Sequence, residues 1–447
     1  MKGNIVVIGM GQGGLTAALK LAESGYAVDV FEKGKKGEVS YPWYDDIRYD
    51  VFELTGIPMP PRDTYTQKSK WLFVSPDCKN SLPVPPLPPM EEISMSRRGL
   101  VDHLAALAEK AGATLHYNTK VSKLVVKGDT VVGVKAGLRT YDAQLVIDAS
   151  GLYSPFRGQV PKKFRIQDQP ARDDIFKGWR TFYEREPGSA TPDPESILTV
   201  LHMNGSGISW CNLNDRGEVD ELILRTGGMS KKDFEAMDDD LGRRHDFRSD
   251  KYIRPPQPVS VGVRYSLSRM VANGYAAVGD SAFMTMPFMG CGIEAAMKAG
   301  VMLAETVIRQ GKLKKPVPAK ALWPYQVKYY KKLGIVYYAI DLVKRIVLNL
   351  DPEDVNWAFG SGIVTSEDMK LLSTDETGSA AKLTAGDILQ KVRILFSNKT
   401  LIRKLGGAIV LAVRGLLIAV RIPRRYNPRK IRRWQKKYEA LVPHMDI

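Results

Sequence analysis

A glycine-rich turn near the N-terminus constrains the fold more than any other feature of the sequence. Gly9, Gly11 and Gly14, in GMGQGG, have the G-x-G-x-x-G spacing between an apolar run, Asn4–Ile8, and an apolar helical segment, Leu15–Ala22. Glycines at this spacing allow a tight turn and bring a pyrophosphate close to the N-terminus of the helix. The turn therefore predicts the first strand and helix of a parallel sheet that binds the ADP part of a dinucleotide.

An acidic residue supports this interpretation. Glu32 follows the second strand candidate, Ala27–Phe31, and stands 18 residues after Gly14. A carboxylate in this place accepts hydrogen bonds from the ribose hydroxyls and disfavours a 2′-phosphate. We therefore expect FAD or NAD in preference to NADP.

A second glycine-rich segment favours FAD over NAD. The sequence GDSAFMTMPFMGCGIEAA follows a short strand candidate and contains Asp280, Gly290 and Gly292 ahead of a helix that starts near Ile293. We expect Asp280 to bind a ribityl hydroxyl or a water on the pyrophosphate, and the two glycines to let the backbone approach the isoalloxazine ring. The N-terminus of the helix would stabilise negative charge on a reduced flavin. The sequence therefore predicts FAD as the cofactor.

Four landmarks in this order resemble the flavoprotein family that includes geranylgeranyl reductases, p-hydroxybenzoate-type aromatic hydroxylases and flavin-dependent halogenases. They are the GMGQGG turn with Glu32, Arg97 at the start of a predicted helix, DASGLYSPFR at Asp148–Arg157, and the second glycine-rich segment. The resemblance covers the chain to about residue 310. It implies an α/β fold with a Rossmann-type FAD-binding domain, an inserted β-sheet substrate domain, and a flavin contact for Arg97. A solvated residue at the helix start is the alternative for that arginine.

The chain is expected to divide into three parts. The FAD-binding domain is discontinuous and comprises residues 1–55, 95–160 and 270–312. The substrate domain comprises residues 56–94 and 161–269, where strand candidates alternate with polar turns. The proline-rich end of its first segment, SLPVPPLPPM, fits neither a sheet interior nor a helix. Residues 313–447, with apolar positions at helical spacing, predict a helical C-terminal region.

The second glycine-rich segment also indicates the reaction. DASG together with P-x-x-G-x-G-I at Pro287–Ile293 is most similar to the geranylgeranyl reductases. This resemblance implies hydride transfer from N5 of reduced FAD to a carbon–carbon double bond of a hydrophobic, isoprenoid or lipid-like substrate. The Y-x-W-x-F-P stretch of those enzymes is matched only in part by GISWCNL, in which Trp210 keeps the tryptophan. An FAD-dependent monooxygenase that hydroxylates an aromatic or polyene substrate is the alternative, and halogenation ranks below both.

Several residues are candidates for the substrate pocket and for catalysis. We expect Trp210, Met286 and Phe288 to form walls of the pocket, and a place in the core is the alternative for each. Cys291, between the two glycines, is the candidate proton donor or redox partner, unless it is only a small filler. No second glycine fingerprint for a nicotinamide nucleotide is visible, so NAD(P)H that docks transiently or a ferredoxin is the expected electron donor.

Much of the formal charge of +16 lies at the end of the sequence. Arg421–Lys437 has nine basic residues and no acidic one, and it follows the apolar stretch Gly406–Val420. That stretch is shorter than the about 20 residues that span a bilayer, and it contains Arg414. The segment therefore predicts attachment to an anionic membrane surface, with a solvated tail as the alternative. Nucleic acid is the less favoured partner.

The cysteines and the N-terminus indicate the cellular setting. Cys78, Cys211 and Cys291 have neither the CxxC spacing of a metal site nor the even number of a disulfide framework, so no metal is expected. The first strand candidate starts at Asn4, which leaves no room for a signal segment ahead of it. We therefore expect a cytoplasmic enzyme that is peripheral on the inner membrane face.

Overall fold

Four β-sheets and eleven helices make up the described part of the chain. The computed structural model describes residues 2–68, 71–84, 92–167, 169–373, 391 and 393–441. The strands are β1 Asn4–Ile8, β2 Ala27–Phe31, β3 Tyr44–Arg48, β4 Tyr65–Gln67, β5 Trp71–Val74, β6 Ser81–Val84, β7 Glu92–Ser96, β8 Thr114–His116, β9 Val121–Lys127, β10 Thr130–Ala136, β11 Arg139–Asp142, β12 Leu145–Asp148, β13 Ile175–Arg185, β14 Ser196–Val200, β15 Gly207–Leu213, β16 Glu218–Thr226, β17 Arg248–Gly262, β18 Val271–Ala272 and β19 Tyr275–Ala277. The helices are α1 Gln12–Glu23, α2 Val51–Thr55, α3 Arg97–Lys110, α4 Lys231–Arg244, α5 Ile293–Ile308, α6 Ala319–Tyr329, α7 Ile335–Val347, α8 Pro352–Ser361, α9 Ser366–Ser373, α10 Lys399–Ala419 and α11 Pro428–Glu439.

The first sheet has six strands in the order β18-β19-β12-β1-β2-β8. Its strands are parallel except for the short edge strand β18. Four of the five residues of β1 and all four of β12 are buried, as in a sheet that is covered on both faces. The α/β fold class predicted from the sequence is confirmed, because β1, α1 and β2 form the expected unit at the centre of this sheet.

The second sheet has seven strands in the order β17-β13-β16-β15-β14-β5-β6. All of its pairs are antiparallel except β14 with β5. Strand β6, which contains Pro83, lies at the edge of the sheet. A proline is tolerated there because an edge strand has a partner on one side only, so the missing N–H breaks no hydrogen bond inside the sheet. The prolines that follow, in residues 85–90, lie outside the described residues. Two small sheets, β3-β7-β4 and β11-β10-β9, complete the β structure.

The C-terminal helices pack on the core through aromatic and charged residues. The indole of Trp323 and the ring of Tyr438 are buried. Arg345 of α7 donates hydrogen bonds to Asp173 and Asp174, 2.8 Å in each case, and thereby ties α7 to the segment before β13. Within the described part of the chain, no helix is long and apolar enough to cross a membrane.

Helix α1 packs on α5 with almost no side chain between them. A Cβ atom at Gly13 would lie 2.9 Å from the carbonyl oxygen of Ala296, and one at Gly300 would lie 2.5 Å from the carbonyl oxygen of Gly13. Such distances are shorter than van der Waals contact, so only glycine fits at these two positions. The two helices, which are far apart in sequence, are therefore held at backbone contact.

We predict that Gly300→Ala destabilises the fold, although alanine is normally the better helix former. The added methyl group would force α1 and α5 apart, at a cost of about 1–3 kcal/mol in the free energy of unfolding. Chemical denaturation measures this loss. Gly360→Ala in α8 is the matched control, because its Cβ would meet only the side chain of Asn80, at 3.2 Å. The control should be neutral or slightly stabilising, and equal losses in the two variants would contradict the role of Gly300 in the packing.

Candidate active site

A cavity of about 470 Å³ lies between the first sheet and the second sheet. Both glycine-rich segments reach it, and so do β3 and several strands of the second sheet. Of the residues predicted from the sequence, the following line it: Gly9, Gly11, Glu32, Arg97, Trp210, Asp280, Gly290, Cys291, Gly292 and Ile293. The structure thus brings together residues from distant parts of the chain.

The first glycine turn forms one end of the cavity. Gly9 has a φ of +90°, which favours glycine, and Gly11 is the N-cap of α1. A Cβ at Gly14 would lie 2.6 Å from that of Ala149, so this glycine serves the packing of the helix and does not line the cavity. The free N–H groups at the start of α1 can bind a phosphate. These features fit the pyrophosphate of a dinucleotide.

Glu32 is fixed beside this turn. Its carboxylate accepts hydrogen bonds from the backbone N–H groups of Met10, at 3.0 Å, and Gly34, at 2.8 Å. A carboxylate has about four acceptor sites, so acceptor positions remain for ribose hydroxyls. The position of Glu32 therefore fits the ribose contact that the sequence predicts.

The second glycine-rich segment forms the middle of the cavity. Gly290, with a φ of +77°, and Gly292, the N-cap of α5, both line it. Asp280 follows β19 and accepts a hydrogen bond from Thr285, at 3.0 Å. Just before α5, the residues on either side of Cys291 are glycines, which leave the backbone there open to the cavity. This backbone fits the close approach of a flat ring system and the charge of its reduced form.

A buried hydrogen-bond network around Asp148 holds this segment in place. The Asp148 carboxylate accepts hydrogen bonds from the hydroxyls of Tyr275, at 2.7 Å, and Ser281, at 3.1 Å. Arg157, also buried, donates to the carbonyl oxygen of Ser281 at 3.0 Å. Asp148 and Arg157 are the two ends of the DASGLYSPFR landmark. That landmark therefore acts through hydrogen bonds that join β12 to the second glycine-rich segment.

The second sheet supplies an apolar wall. Strands β15 and β16 contribute alternate residues that line the cavity, as side chains on one face of a sheet do, and β17 adds further residues. The apolar wall consists of Trp210 of β15, Leu222 and Leu224 of β16, and Val259 and Val261 of β17. It touches the second glycine-rich segment, since a Cβ at Gly290 would lie 3.2 Å from Cγ1 of Val261. Trp210 also makes an edge contact with Trp71, at 6.0 Å between ring centroids.

Met286 and Phe288 do not line the cavity, in contrast to their predicted role. Their side chains are buried in the hydrophobic core beneath the segment. Among the methionines of this segment, Met289 is the one that reaches the cavity. Both residues therefore occupy the hydrophobic core, which was the alternative to a place in the pocket wall.

Arg97 and Arg180 form a charged cluster at the rim of the apolar wall. Arg180 donates to both carboxylate oxygens of Asp220, the first at 2.8 Å, and to Asp45. Asp45 also pairs with Arg97, whose Nη1 lies 3.0 Å from its Oδ2. The guanidinium group of Arg180 lies 5.4 Å from the ring centroid of Trp210. The cluster thus fixes the position of Arg97 and one edge of the tryptophan.

A second polar cluster contains two carboxyl groups whose pKa values are raised. Asp46, which lines the cavity, pairs with Lys68 at 3.3 Å, and Lys68 donates to Asn212 at 2.7 Å. Burial raises the pKa of Asp46. Burial, followed by the charge of Asp46, raises the pKa of Glu92 to about 7. Glu92 accepts a hydrogen bond from the indole N–H of Trp71, at 3.0 Å. At neutral pH this cluster therefore contains a carboxyl group that is partly protonated.

The side chain of Cys291 also lines the cavity. Burial, followed by the charges of Glu294 and Glu92, raises the pKa of its thiol well above the ordinary value. The thiol is therefore protonated at neutral pH but is a weak acid. This makes it a less suitable proton donor than a carboxyl group with a pKa near neutrality.

Most of the charged residues of the two clusters carry no motif in the sequence that marks them as site residues. They are Asp45, Asp46, Lys68, Glu92, Arg180 and Asp220. Tyr41 and Trp43, in the aromatic segment between β2 and β3, also line the cavity. The adjacent Asp45 and Asp46, beside Trp43 and Tyr44, were the available signal in the sequence.

Comparison with known proteins agrees with this geometry. The model of the family described as FAD dependent oxidoreductase matches residues 94–246. A digeranylgeranylglycerophospholipid reductase of Sulfolobus acidocaldarius is 21% identical over 99% of this chain and 98% of its own. The solved structure of a geranylgeranyl bacteriochlorophyll reductase-like protein of Thermoplasma acidophilum has 19% identity and a TM-score of 0.71, over 91% of this chain and 99% of that one. The p-nitrophenol 4-monooxygenase PnpA of Pseudomonas putida has 17% identity and a TM-score of 0.62, over 82% and 95%.

The fold, the two glycine-rich segments and these similarities define an FAD-dependent oxidoreductase. FAD is its cofactor. The chain is similar in sequence to proteins named as digeranylgeranylglycerophospholipid reductases, and it shares its fold with a geranylgeranyl reductase-like protein and with an aromatic monooxygenase. The monooxygenase shares the fold, so the fold does not by itself define the reaction.

We predict that Gly11→Ala and Glu32→Ala each lower the affinity for FAD by roughly tenfold to a hundredfold, the loss expected for hydrogen bonds to charged groups. A Cβ at Gly11 would make only an ordinary contact, 3.4 Å from the carbonyl oxygen of Ala149, so the protein itself tolerates it. Any loss would therefore reflect the pyrophosphate. Calorimetric titration of the apoprotein with FAD measures both effects, and Glu38→Ala, an exposed carboxylate nearby, is the control. Unchanged affinity in both variants would place the ADP elsewhere.

Proposed function

We propose that the protein reduces a carbon–carbon double bond of a hydrophobic, isoprenoid or lipid-like substrate. The observation that carries this proposal is the apolar wall of the second sheet, which meets the second glycine-rich segment at Gly290. An alkene chain against this wall would lie beside the place where that segment fits the flavin ring. The name of the Sulfolobus relative, which is similar over nearly its whole length, supports the same substrate class.

The protein residues have separate tasks in this reaction. When bound, reduced FAD supplies the hydride, and this chemistry belongs to the cofactor. The turn at Gly9–Gly11 and Glu32 would bind its ADP part, and Asp280 and the N-terminus of α5 would bind the flavin part. The apolar wall would orient the substrate and exclude water from its double bond. NAD(P)H or a ferredoxin would then return the electrons.

Saturation of a double bond also needs a proton, and we assign it to the carboxyl cluster of Asp46 and Glu92. Asp46 lies in the cavity wall, and the pKa of Glu92, about 7, suits a general acid at neutral pH. The proton would pass from a carboxyl group to the second alkene carbon, and solvent would restore it. Lys68 keeps Asp46 in place, 3.3 Å away. Cys291, with its raised pKa, would remain a neutral part of the wall.

We predict that the photoreduced enzyme is reoxidised by a polyprenyl lipid in the absence of oxygen. The visible flavin band should return, and mass spectrometry should find product with one double bond fewer. Aromatic compounds and quinones serve as comparison substrates. If the flavin is reoxidised only when oxygen is present, and labelled oxygen appears in the product, the enzyme is instead a monooxygenase.

We predict that Asp46→Asn and Glu92→Gln each slow turnover by roughly 10²-fold, the usual contribution of a general acid. In the unmodified enzyme turnover should fall as pH rises through about 7, because the acid loses its proton, and Glu92→Gln should remove this dependence. Cys291→Ala should change turnover by no more than a few-fold. Rates over a pH series, in light and heavy water, measure these effects. A large loss in Cys291→Ala alone would assign the proton to the thiol.

A further inference from the structure

Helix α10 has two apolar faces, of which only one is covered by the described part of the protein. On the inner face, Leu401 and Ala419 are buried, and a Cβ at Gly415 would lie 2.5 Å from Cδ1 of Leu342 of α7. The outer strip consists of Val410, Val413, Leu416, Leu417 and Val420, which are between 40% and 55% exposed. At 100° per residue these five side chains fall within a sector of roughly 120°. An ordinary surface helix would present polar residues there.

Basic residues lie along one edge of the outer strip and follow its C-terminal end. Arg403 and Arg414 are exposed along one edge of it. The chain then continues through Arg421, Arg424 and Arg425 into α11, whose exposed basic residues are Arg429, Lys430, Arg432, Arg433, Lys436 and Lys437. Within the described residues, none of the nine between positions 421 and 437 forms an ion pair with a carboxylate.

Helix α11 is fixed to α10, so the charges keep their place beside the strip. Ile431, Trp434 and Tyr438 bury its inner side, and the indole N–H of Trp434 donates to the carbonyl oxygen of Ile418 at 2.9 Å. The basic residues are therefore not a loose tail. They form the charged side of a rigid surface that also contains the strip.

We propose that the protein docks on an anionic lipid bilayer through the outer strip of α10 and the basic residues from Arg403 to Lys437. The strip would enter the boundary between headgroups and acyl chains, and the arginines and lysines would contact anionic headgroups. Each basic residue near such a surface strengthens binding by roughly fivefold. This docking is independent of the reaction proposed above.

The charge and the apolar character of this surface favour an anionic bilayer over nucleic acid or a second copy of the chain. Nucleic acid would contact the basic residues, but its phosphates offer nothing to an apolar strip. A second copy of the chain, packed strip against strip, would bring two sets of nine basic residues together without acidic partners. An anionic bilayer matches both features, because apolar chains lie directly beneath its charged surface.

The experiment measures co-sedimentation of the FAD-loaded enzyme with two kinds of vesicle. One is pure phosphatidylcholine, and the other is a three-to-one mixture of phosphatidylcholine and phosphatidylglycerol. Salt is raised to about 0.5 M, where charges are screened beyond a few ångströms. We expect strong binding to the mixed vesicles at low salt, weaker binding that persists at high salt, and little binding to the neutral vesicles.

Two sets of variants separate the apolar and charged contributions. Val413→Glu with Leu417→Glu should lower the binding that persists at high salt by at least tenfold, and Leu54→Glu with Leu138→Glu is the control on other exposed apolar residues. Replacement of Arg429, Lys430, Arg432 and Arg433 by glutamine should lower binding at low salt by at least a hundredfold. The same change at Lys110, Lys120, Lys123 and Lys127, exposed elsewhere, is its control.

Bound flavin per chain and thermal unfolding show that each variant is folded. The proposal would be overturned if both sets of variants bound the vesicles as strongly as their controls. So would a preference for duplex DNA over the mixed vesicles at physiological salt. A dimer in sedimentation velocity that the strip variants dissociate would also overturn it and would assign the strip to a second copy.

Discussion

Backbone contact between α1 and α5 is the interaction on which the rest of the site depends. Because Gly13 and Gly300 carry no side chains, the two helices approach so closely that a Cβ atom at either position would clash with a carbonyl oxygen of the other helix. Both helices begin at a glycine, Gly11 and Gly292, in the wall of one cavity. A helix N-terminus carries roughly half a positive charge, so the packing concentrates two such ends where phosphates and a reduced flavin need them. The Asp148 network then fixes the second of these ends against the sheet.

The opposite side of the cavity combines an apolar wall with buried charge, and the balance between them gives the site its chemistry. Burying a carboxylate is costly unless it is paired. The negative charges of Asp45 and Asp220 are balanced by the guanidinium group of Arg180, so these two carboxylates have a structural role. Burial, followed by the negative charge of Asp46, raises the pKa of Glu92 to about 7, although the indole N–H of Trp71 donates a hydrogen bond to its carboxylate. The same burial that would exclude water from an alkene therefore also creates an acid beside it.

Local patterns predicted much of this structure because their causes are local. The apolar runs of β1 and β2, and the helix from Ile293 to Ile308, lie where the sequence indicates, since periodicity and glycine positions act over a few residues. The positions of Met286 and Phe288 could not be predicted in this way. Apolar residues beside a glycine turn fit a pocket wall and a core equally well, and only the packing around them places them in the core. The domain boundaries and the electron donor remain predictions.

The sequence by itself determined the strand, turn and helix of the dinucleotide site, the second glycine-rich turn, and the concentration of basic residues after position 420. These features depend on backbone conformation and composition within short segments. Only the tertiary structure decided that Lys68 and Glu92 meet Asp46 in the wall of the cavity, and that one apolar face of α10 is buried while the other is exposed. The physical reason is that pKa values and exposure depend on neighbours from distant parts of the chain, and no short segment contains that information.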